Sequence, residues 1–490
     1  MGERLGKKAA IVGMSVVDKF HDECAVVGVY GHPEAANMVY LSLYALQHRG
    51  QESSGIVSSD SGALISHRQM GLVADVFKED IIKRLRGSSA IGHNRYSTAG
   101  QSHLKNAQPL VMEYADGPIA VAHNGNLVNA QILRGELEAY GSIFQSTSDT
   151  EVFIHLIATS KERTQMNRLV DALSRVSGAY SLVFLMLDRM IAVRDPMGFR
   201  PLVVGRFKTA ADSDGYVVAS ETCALDLIEA EYIREVEPGE IITFGPQGME
   251  SLKPFPPVPH AKCIFEYIYF ARPDSNLYGR NVYRIRKELG RQLARESPVE
   301  ADLVTPVPDS GVPAAIGYAE ESGFPLEFGL IRNHYVGRTF IEPAQSIRHF
   351  GVKIKLNAQR EVLQGKRVVV VDDSIVRGTT SRKIIQMLRD AGAKEIHLRI
   401  SSPPTMGPCF YGINTPTRSE LIASSHKVSE ICEFIGADSL SYLSQEGMYV
   451  FLDGSRDGFC DACFSGNYPL HVDDEGKTKQ LHLFEAMQQH

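Results

Sequence analysis

The chain of 490 residues has no long apolar run, no excess of positive charge and few cysteines. A transmembrane helix needs about 18 to 20 apolar residues in succession, and the sequence has no such stretch. A net charge of −7 argues against a protein whose whole surface binds nucleic acid. Seven cysteines are too sparse for a disulfide framework, so reduced thiols with catalytic or metal-binding roles are expected. The sequence therefore predicts a cytoplasmic protein with neither a membrane nor a nucleic-acid partner.

The length predicts two or three domains, and changes in composition and apolar pattern along the chain predict their boundaries. Residues 24–255 contain strand-like runs separated by turns rich in Gly and Asn, which favours an α+β domain of layered sheets. A linker follows, since SLKPFPPVPH at residues 251–260 is rich in proline. Residues 300–430 alternate apolar strands with helices, which predicts a doubly wound, mostly parallel α/β sheet in a domain of residues 256–445. Residues 446–490 are expected to form an irregular tail that is held by something other than a core.

The strongest motif is KRVVVVDDSIVRGTTSRK at residues 366–383. Its valines predict a buried strand that ends at Asp372 and Asp373, and ligands of open α/β sheets bind at the carboxyl ends of strands. The next residues offer hydroxyls and backbone N–H groups to a phosphate, while two carboxylates suit sugar hydroxyls and hydrated Mg²⁺. The alternative is an ordinary aspartate-rich turn before a capped helix.

This stretch resembles the phosphoribosylpyrophosphate (PRPP) signature of type I phosphoribosyltransferases. The resemblance implies that the acidic pair contacts the ribose and that Ser374 through Thr380 hold the 5′-phosphate. It also implies a pyrophosphate loop in TPVPDSGVPAA, residues 305–315. The implied PRPP contacts here are Asp309, Ser310, Asp372, Asp373, Ser374, Gly378, Thr379 and Thr380. The implied ligands of one Mg²⁺ per subunit are Ser310, Asp372 and Asp373.

A basic segment follows the pyrophosphate loop in the sequence. Residues 332–360 carry six Lys or Arg and a single acid, Glu342. Such charge stabilises a leaving pyrophosphate, and a polar segment of this length suits a lid that excludes water. Arg338 and Lys355 are the predicted PRPP contacts within it; the alternative is a solvated basic surface.

Cys24 stands at the start of an apolar run in VDKFHDECAVVGVY, with no obvious activating side chain beside it. A lone cysteine at a strand start is usually a small buried apolar residue. However, QHRGQESSG, GHNRYSTAG, AHNGNL and STSDTE place polar groups and glycines at the ends of apolar runs. The first of these follows AANMVYLSLYALQHRG, whose spacing predicts a helix with Gly50 at its C-terminal end.

Together these segments resemble the glutamine amidotransferase domain of the N-terminal nucleophile class, a layered αββα fold. The resemblance implies that Cys24 is the nucleophile and that its own α-amine is the base, which requires removal of residues 1–23 as a propeptide. Asn124 and the N–H of Gly125 would form the oxyanion hole. The implied glutamine contacts are Arg49 and Arg95 for the α-carboxylate and Asp149 for the α-amine.

Four further cysteines are candidate ligands of a metal or cluster. Cys460 and Cys463 form a C-x-x-C pair, and Cys263 and Cys409 are isolated. Zn²⁺, an iron–sulfur cluster and a redox dithiol are all compatible with this pattern. The remaining two, Cys223 and Cys432, are interpreted as ordinary core or helix residues.

From Cys24 to about residue 465 the chain resembles the glutamine PRPP amidotransferases, in their iron–sulfur branch. The resemblance implies one [4Fe–4S] cluster per subunit, bound by Cys263, Cys409, Cys460 and Cys463. It implies that glutamine is hydrolysed at Cys24 and that the ammonia passes to PRPP. The products would be 5-phospho-β-D-ribosylamine, pyrophosphate and L-glutamate, in the first committed step of purine synthesis. A homotetramer inhibited by purine nucleotides is expected on the same ground.

Two other functions are compatible with parts of the sequence. A glutaminase domain also supplies ammonia in hexosamine synthesis, but a sugar isomerase does not need the motif at residues 372–380. A PRPP-sensing regulator would keep that motif, but it would have no use for Cys24 or the cluster cysteines.

Overall fold

The structure is a computed structural model that describes residues 24–96, 103–208, 214–333, 355–415 and 417–470. The predicted propeptide and Arg338 lie outside these residues. Among the described residues, no helix combines the length and the apolar character that crossing a membrane requires.

The described part of the first half of the chain folds into two antiparallel sheets. Its strands are β1 (Ala25–Tyr30), β2 (Ser53–Asp60), β3 (Ala63–Met70), β4 (Ser89–Arg95), β5 (Leu110–Tyr114), β6 (Gly117–Leu127), β7 (Gly178–Leu185), β8 (Met190–Arg194), β9 (Val203–Lys208), β10 (Asp214–Ala219), β11 (Glu231–Glu235), β12 (Ile241–Gly245) and β13 (Gly248–Leu252). One sheet has the order β11-β9-β10-β1-β4-β2-β3, and the other has the order β13-β12-β8-β7-β6-β5.

The two sheets pack face to face, and helices cover their outer faces. Val26 and Ile91 of one sheet meet Ala122 and Val183 of the other in a fully buried layer. The helices are α1 (Ala35–Ala45), α2 (Val73–Val76), α3 (Glu79–Ile82), α4 (Ala130–Ala139), α5 (Thr150–Thr159), α6 (Gln165–Arg175) and α7 (Thr222–Leu227), with a 3₁₀ turn at Leu104–Asn106. Helices α1 and α7 pack on the first sheet, and α4, α5 and α6 pack on the second. The predicted αββα layering is confirmed.

One prediction about α1 is wrong, because the helix ends at Ala45 and Gly50 is not its cap. Gly50 lies instead against the backbone of β4. A Cβ atom at this position would come within 2.6 Å of the carbonyl carbon of Asn94. Glycine is therefore needed here for close backbone packing, which apolar periodicity does not reveal.

The second half is built around a four-stranded parallel sheet. The strands after the linker are β14 (Lys262–Cys263), β15 (Asn276–Leu277), β16 (Arg280–Asn281), β17 (Leu303–Pro306), β18 (Leu330–Arg332), β19 (Leu356–Ala358), β20 (Arg367–Asp372), β21 (Glu395–Ile400), β22 (Ser439–Tyr442) and β23 (Phe459–Cys460). The central sheet has the order β17-β20-β21-β22, and each pairing is parallel.

Helices lie on both faces of this sheet, as the alternation of strands and helices predicts. They are α8 (Val282–Glu296), α9 (Val312–Ser322), α10 (Arg360–Leu363), α11 (Thr379–Asp390), α12 (Val428–Ile435) and α13 (Ala462–Ser465), with a π-helical turn at Glu266–Phe270 and 3₁₀ turns at Arg418–Glu420, Ile422–Ser424 and Gly447–Leu452. Helices α8 and α9 pack on one face, and α11 and α12 pack on the other. Because the four strands are parallel, their carboxyl ends all lie at the same edge of the sheet.

The described part of the tail, up to residue 470, packs onto the second half of the chain. Met448, Tyr449 and Phe464 are buried in the same core as α8 and α9. Strand β23 pairs in parallel with β14, and the ring of Phe464 stacks on Phe265 with the centroids 5.7 Å apart. The prediction that something other than a core holds the tail is therefore wrong for its described part, because its apolar side chains complete the core of the preceding domain.

Candidate active sites

Cys24 lies at the start of β1, in the middle of the first sheet. The residue is 5% exposed, and its thiol donates to the carbonyl of Tyr96 at 3.5 Å. Its own carbonyl oxygen accepts from Nε of Arg49 at 3.4 Å. The thiol and the backbone of Cys24 are therefore both held by the surrounding chain.

Asn124 and Gly125 lie on β6 of the facing sheet. Asn124 is fully buried, and neither its Oδ1 nor its Nδ2 has a hydrogen-bond partner among the described residues. An unpaired buried amide costs about 1–3 kcal/mol, so such a group in a folded protein requires an explanation. An amide that is kept open for a substrate oxygen provides one.

The two sheets are joined just beside these residues. Nε2 of His93, on β4, donates to the carbonyl of His123 at 2.9 Å. Burial lowers the pKa of His93 to about 3, so its ring is neutral near pH 7 and can act as this donor. Ala25 pairs with Asn94, which is next to His93, and Asn124 follows His123. The bond therefore holds the sheet of the predicted nucleophile against the predicted oxyanion strand.

Two of the predicted ligands of the glutamine α-groups lie at the ends of β4 and β6. Arg95 ends β4, is 2% exposed and has Glu52 at 3.9 Å. Asp149 precedes α5, and its Oδ2 accepts from the N–H of Leu127 at 3.0 Å, which fixes it at the end of β6. Arg95 therefore lies beside the start of β1 and Asp149 at the end of β6, and their contact with glutamine stays a prediction.

Arg49 has a different environment from the one expected of a substrate ligand. It is 1% exposed, and its guanidinium donates to Glu221 at 2.6 Å and to Glu266 at 2.7 Å. Burial alone would raise the pKa of Glu221, but His48 and Arg49 lower it well below its ordinary value. Sequence reasoning missed both carboxylates, because they lie 172 and 217 residues from Arg49 in the chain.

The predicted PRPP site lies at the carboxyl edge of the parallel sheet. Asp372 ends β20, and both it and Asp373 are almost fully buried. Asp373 accepts hydrogen bonds from the hydroxyls of Ser310 at 2.8 Å and Ser374 at 2.9 Å. The structure therefore brings the two predicted PRPP loops together at adjacent strand ends.

The other predicted PRPP contacts surround this pair. Gly378 has a positive φ of 78° and precedes α11, which begins at Thr379 and Thr380. Asp309 is exposed and forms an ion pair with Arg332. Lys355 is exposed just before β19, and its predicted contact with PRPP stays a prediction.

The four candidate cluster cysteines line one cavity. Cys263, Cys409, Cys460 and Cys463 all line one small pocket, together with the rings of Phe199 and Tyr411. Burial raises the pKa of the Cys460 thiol to about 12. Burial and then the thiols of Cys263, Cys409 and Cys460 raise the pKa of Cys463 well above its ordinary value. Thiolates at these positions would therefore need a cationic partner.

Among the described residues, no group of three or more His, Cys, Asp or Glu is placed to hold one metal ion. A tetrahedral zinc site would need its sulfurs about 2.3 Å from a common ion. Cys223 lies buried in α7 and Cys432 lies in α12, so both are helix residues as predicted.

The loop that carries Cys409 also packs against the first half of the chain. Asn126 donates to the carbonyl of Phe410 at 2.9 Å. A Cβ atom on Gly412 would lie 2.8 Å from Cα of Gly125. The ring of Tyr411 stacks on Phe199 with the centroids 4.4 Å apart. The cysteine cavity and the predicted oxyanion strand are therefore close neighbours.

The chain is similar to known proteins over both halves. Residues 93–226 match the family described as glutamine amidotransferase domain, and residues 275–401 match the phosphoribosyl transferase domain. The chloroplastic amidophosphoribosyltransferase of Glycine max is 56% identical over 93% of this chain and 80% of that protein. The amidophosphoribosyltransferase of Bacillus subtilis is 52% identical over 97% of this chain and 99% of that protein.

A solved structure agrees with these sequence relatives. It is that of glutamine PRPP amidotransferase from B. subtilis complexed with ADP and GMP. It is 52% identical, covers 91% of this chain and 98% of its own, and superposes with a TM-score of 0.86. With both domains matched in this order and with such identity over most of its length, the chain belongs to the amidophosphoribosyltransferase family.

Proposed function

We propose that this chain transfers the amide nitrogen of L-glutamine to PRPP. The products are 5-phospho-β-D-ribosylamine, pyrophosphate and L-glutamate, and the reaction opens purine synthesis. The observation that carries the proposal is the pairing of two sites in one chain of this family. Cys24 lies at a strand start of one sheet, and the buried side-chain amide of Asn124, without a partner among the described residues, lies on the facing sheet. In the second half of the chain an acidic pair ends a parallel strand.

Glutamine hydrolysis takes place at Cys24. Its sulfur attacks the carboxamide carbon, the C–N bond breaks and ammonia leaves; water then hydrolyses the thioester to glutamate. The base is the α-amine of Cys24 itself, so residues 1–23 must be removed first. Asn124 Nδ2 and the N–H of Gly125 donate to the oxyanion, and the absence of a described partner for the Asn124 amide supports this role.

Arg95 and Asp149 select glutamine by its α-groups. A buried guanidinium matches the α-carboxylate, and a carboxylate matches the α-ammonium. The support for this assignment is their position near the start of β1 and the end of β6.

Ribosylamine forms at the edge of the parallel sheet. Ammonia attacks C1 of PRPP with inversion, and the C1–O bond to pyrophosphate breaks. Asp372 and Asp373 hold the ribose hydroxyls, while Ser374 through Thr380 and the N-terminus of α11 hold the 5′-phosphate. One Mg²⁺ per subunit, held by Ser310, Asp372 and Asp373, would neutralise charge on the leaving pyrophosphate. Arg338, Lys355 and Asp309 complete the proposed PRPP contacts.

The four cysteines of the cavity hold one [4Fe–4S] cluster per subunit. Each cysteine of such a cluster binds a different iron, so the sulfurs stand further apart than around one zinc ion. The position of all four cysteines on one pocket supports the cluster, and two of them, Cys263 and Cys463, are buried. It would join the linker, the loop at Cys409 and the tail.

Iron and sulfide analysis tests the cluster. Anaerobically purified protein should contain about four iron atoms and four acid-labile sulfides per chain. Cys460→Ala should lose them, while Cys432→Ala should keep them. Stoichiometric zinc without sulfide would contradict the assignment.

Inhibition by purine nucleotides and assembly as a homotetramer belong to the same proposal. The B. subtilis relative was solved with ADP and GMP bound, which supports a nucleotide site in this chain as well.

Substitution of Cys24 tests the proposed function. Cys24→Ala should lower glutamine-dependent formation of ribosylamine by about 10⁴-fold or more, since it removes the nucleophile. Activity with added ammonia should persist, because the PRPP site is untouched. Cys432→Ala is the control and should keep both activities. Parallel loss of both activities in Cys24→Ala would contradict the two-site mechanism.

A further inference from the structure

A cluster of buried charges lies directly behind the nucleophile and spans the two halves of the chain. Arg49, Arg200, Glu221 and Glu266 are each at most 1% exposed. Two positive and two negative groups balance in charge. Arg49 bonds to both carboxylates, and Arg200 approaches Glu266 at 3.5 Å. Such a cluster tolerates no single loss easily, because removing one partner leaves an uncompensated buried charge.

Arg49 is the member that touches the nucleophile residue. Its Nε donates to the carbonyl oxygen of Cys24 at 3.4 Å. The two terminal nitrogens donate to the two oxygens of Glu266 at 3.0 and 2.7 Å. This two-point contact fixes the plane of the guanidinium, and the plane sets the direction of the Nε–H bond.

Glu266 follows the linker in the sequence, so its contact with Arg49 joins the second half of the chain to the first. It begins the π-helical turn Glu266–Phe270, three positions after Cys263. Isolated π-helical turns are frequent at functional sites. Arg286, on α8, donates to the carbonyls of Tyr267 at 2.7 Å and Ala271 at 2.8 Å and so holds the turn in place.

We propose that Glu266 is a positioning residue for glutamine hydrolysis. It orients Arg49, and Arg49 fixes the carbonyl of Cys24, so that the thiol and the α-amine of the same residue face the substrate amide. The inference rests on the proposed function. It gives the second half of the chain a part in aligning the nucleophile of the first.

This role and a glutamine-binding role for Arg49 have different kinetic consequences. A group that binds the α-carboxylate of glutamine lowers KM, and its loss raises KM. A group that aligns the nucleophile acts on the chemical step, and its loss lowers kcat while KM changes little.

Glu266→Gln tests the proposal, since it keeps the size of the side chain and removes its charge. In the full-length processed enzyme, glutamine-dependent kcat should fall about tenfold or more, with KM for glutamine within about threefold of the parent. Ammonia-dependent activity should stay within about twofold, which shows that the PRPP site is folded. Glu288→Gln, a half-buried glutamate on α8, is the matched control and should leave both activities unchanged.

Three results would overturn the inference: an unchanged kcat in Glu266→Gln, a rise in KM alone, or equal loss of glutamine- and ammonia-dependent activity. If the parent enzyme itself used no glutamine, the proposed function would fail instead.

Arg49→Lys provides a second test in case Glu266→Gln does not fold. Lysine keeps the charge near both carboxylates but has no Nε–H at the position that meets the Cys24 carbonyl. The same fall in kcat with little change in KM is expected. A rise in KM without a fall in kcat would assign Arg49 to glutamine binding and overturn the inference.

Discussion

At the scale of single residues, the glutaminase site contains buried polar groups that differ in their hydrogen bonding. Arg49 has carboxylate partners, and Asp149 accepts a backbone hydrogen bond. Asn124 has no partner for either amide atom within the described chain. A buried polar group without a protein partner is available to a substrate, whereas the paired groups hold the surrounding structure in place.

The amide of Asn124 gives a prediction at this scale. Asn124→Ala should lower glutamine-dependent kcat by about 10²–10³-fold, the usual effect of losing one oxyanion donor. Steady-state kinetics with glutamine and with ammonia measure the effect, and the ammonia reaction should be spared. Asn37→Ala, on the outer helix α1, is the control. A change confined to KM for glutamine would show that Asn124 does not act on the oxyanion.

At the scale of elements, the start of α5 holds the loop that leads to Asp149. The carboxylate of Glu151 is fully buried and accepts from the backbone N–H groups of Gln145 and Ser146, each at 2.7 Å. Burial alone would raise the pKa of Glu151, but His155, Ser146 and these N–H groups lower it to about 2. The charged form is therefore the one that the fold stabilises.

This carboxylate makes stability depend on pH in a defined direction. Below a pH of about 4.5 the unfolded chain binds the proton more readily than the folded protein, so the free energy of unfolding falls as pH falls. Glu151→Gln should lose about 1–3 kcal/mol at pH 7, because one of the two buried N–H groups would face an amide NH₂ instead of an acceptor, and it should flatten this acid-side decline.

Urea denaturation at several pH values measures both effects. Glu162→Gln, at an exposed position before α6, is the control and should follow the parent. An acid-side decline in Glu151→Gln as steep as that of the parent would contradict the assigned pKa.

At the scale of the whole molecule, the glutamine amidotransferase domain and the phosphoribosyl transferase domain share buried contacts. Glu266 of the second half holds Arg49 of the first, and the loop at Cys409 packs on the strand of Gly125. These contacts place the predicted ammonia-producing site next to the segment that carries the candidate cluster ligands.

The sequence predicted much of this arrangement, because the relevant signals are local. Four consecutive valines and the following aspartates define β20 and its ligand edge, and the αββα layering is confirmed. The pairing of Arg49 with Glu221 and Glu266 was missed, since no local pattern joins residues so far apart in the chain. Gly50 was misinterpreted as a helix cap, because a glycine required by close packing and one required by a turn have the same appearance in sequence.

Transfer of labelled nitrogen tests the central claim most directly. The processed enzyme would be given PRPP, Mg²⁺ and glutamine labelled with ¹⁵N at the amide, in buffer that contains unlabelled ammonium. The account predicts that glutamate and pyrophosphate form together and that the ribosylamine carries ¹⁵N from glutamine in preference to the unlabelled nitrogen of the buffer. Glutamate release at the same rate without PRPP, and with no pyrophosphate formed when PRPP is present, would contradict it.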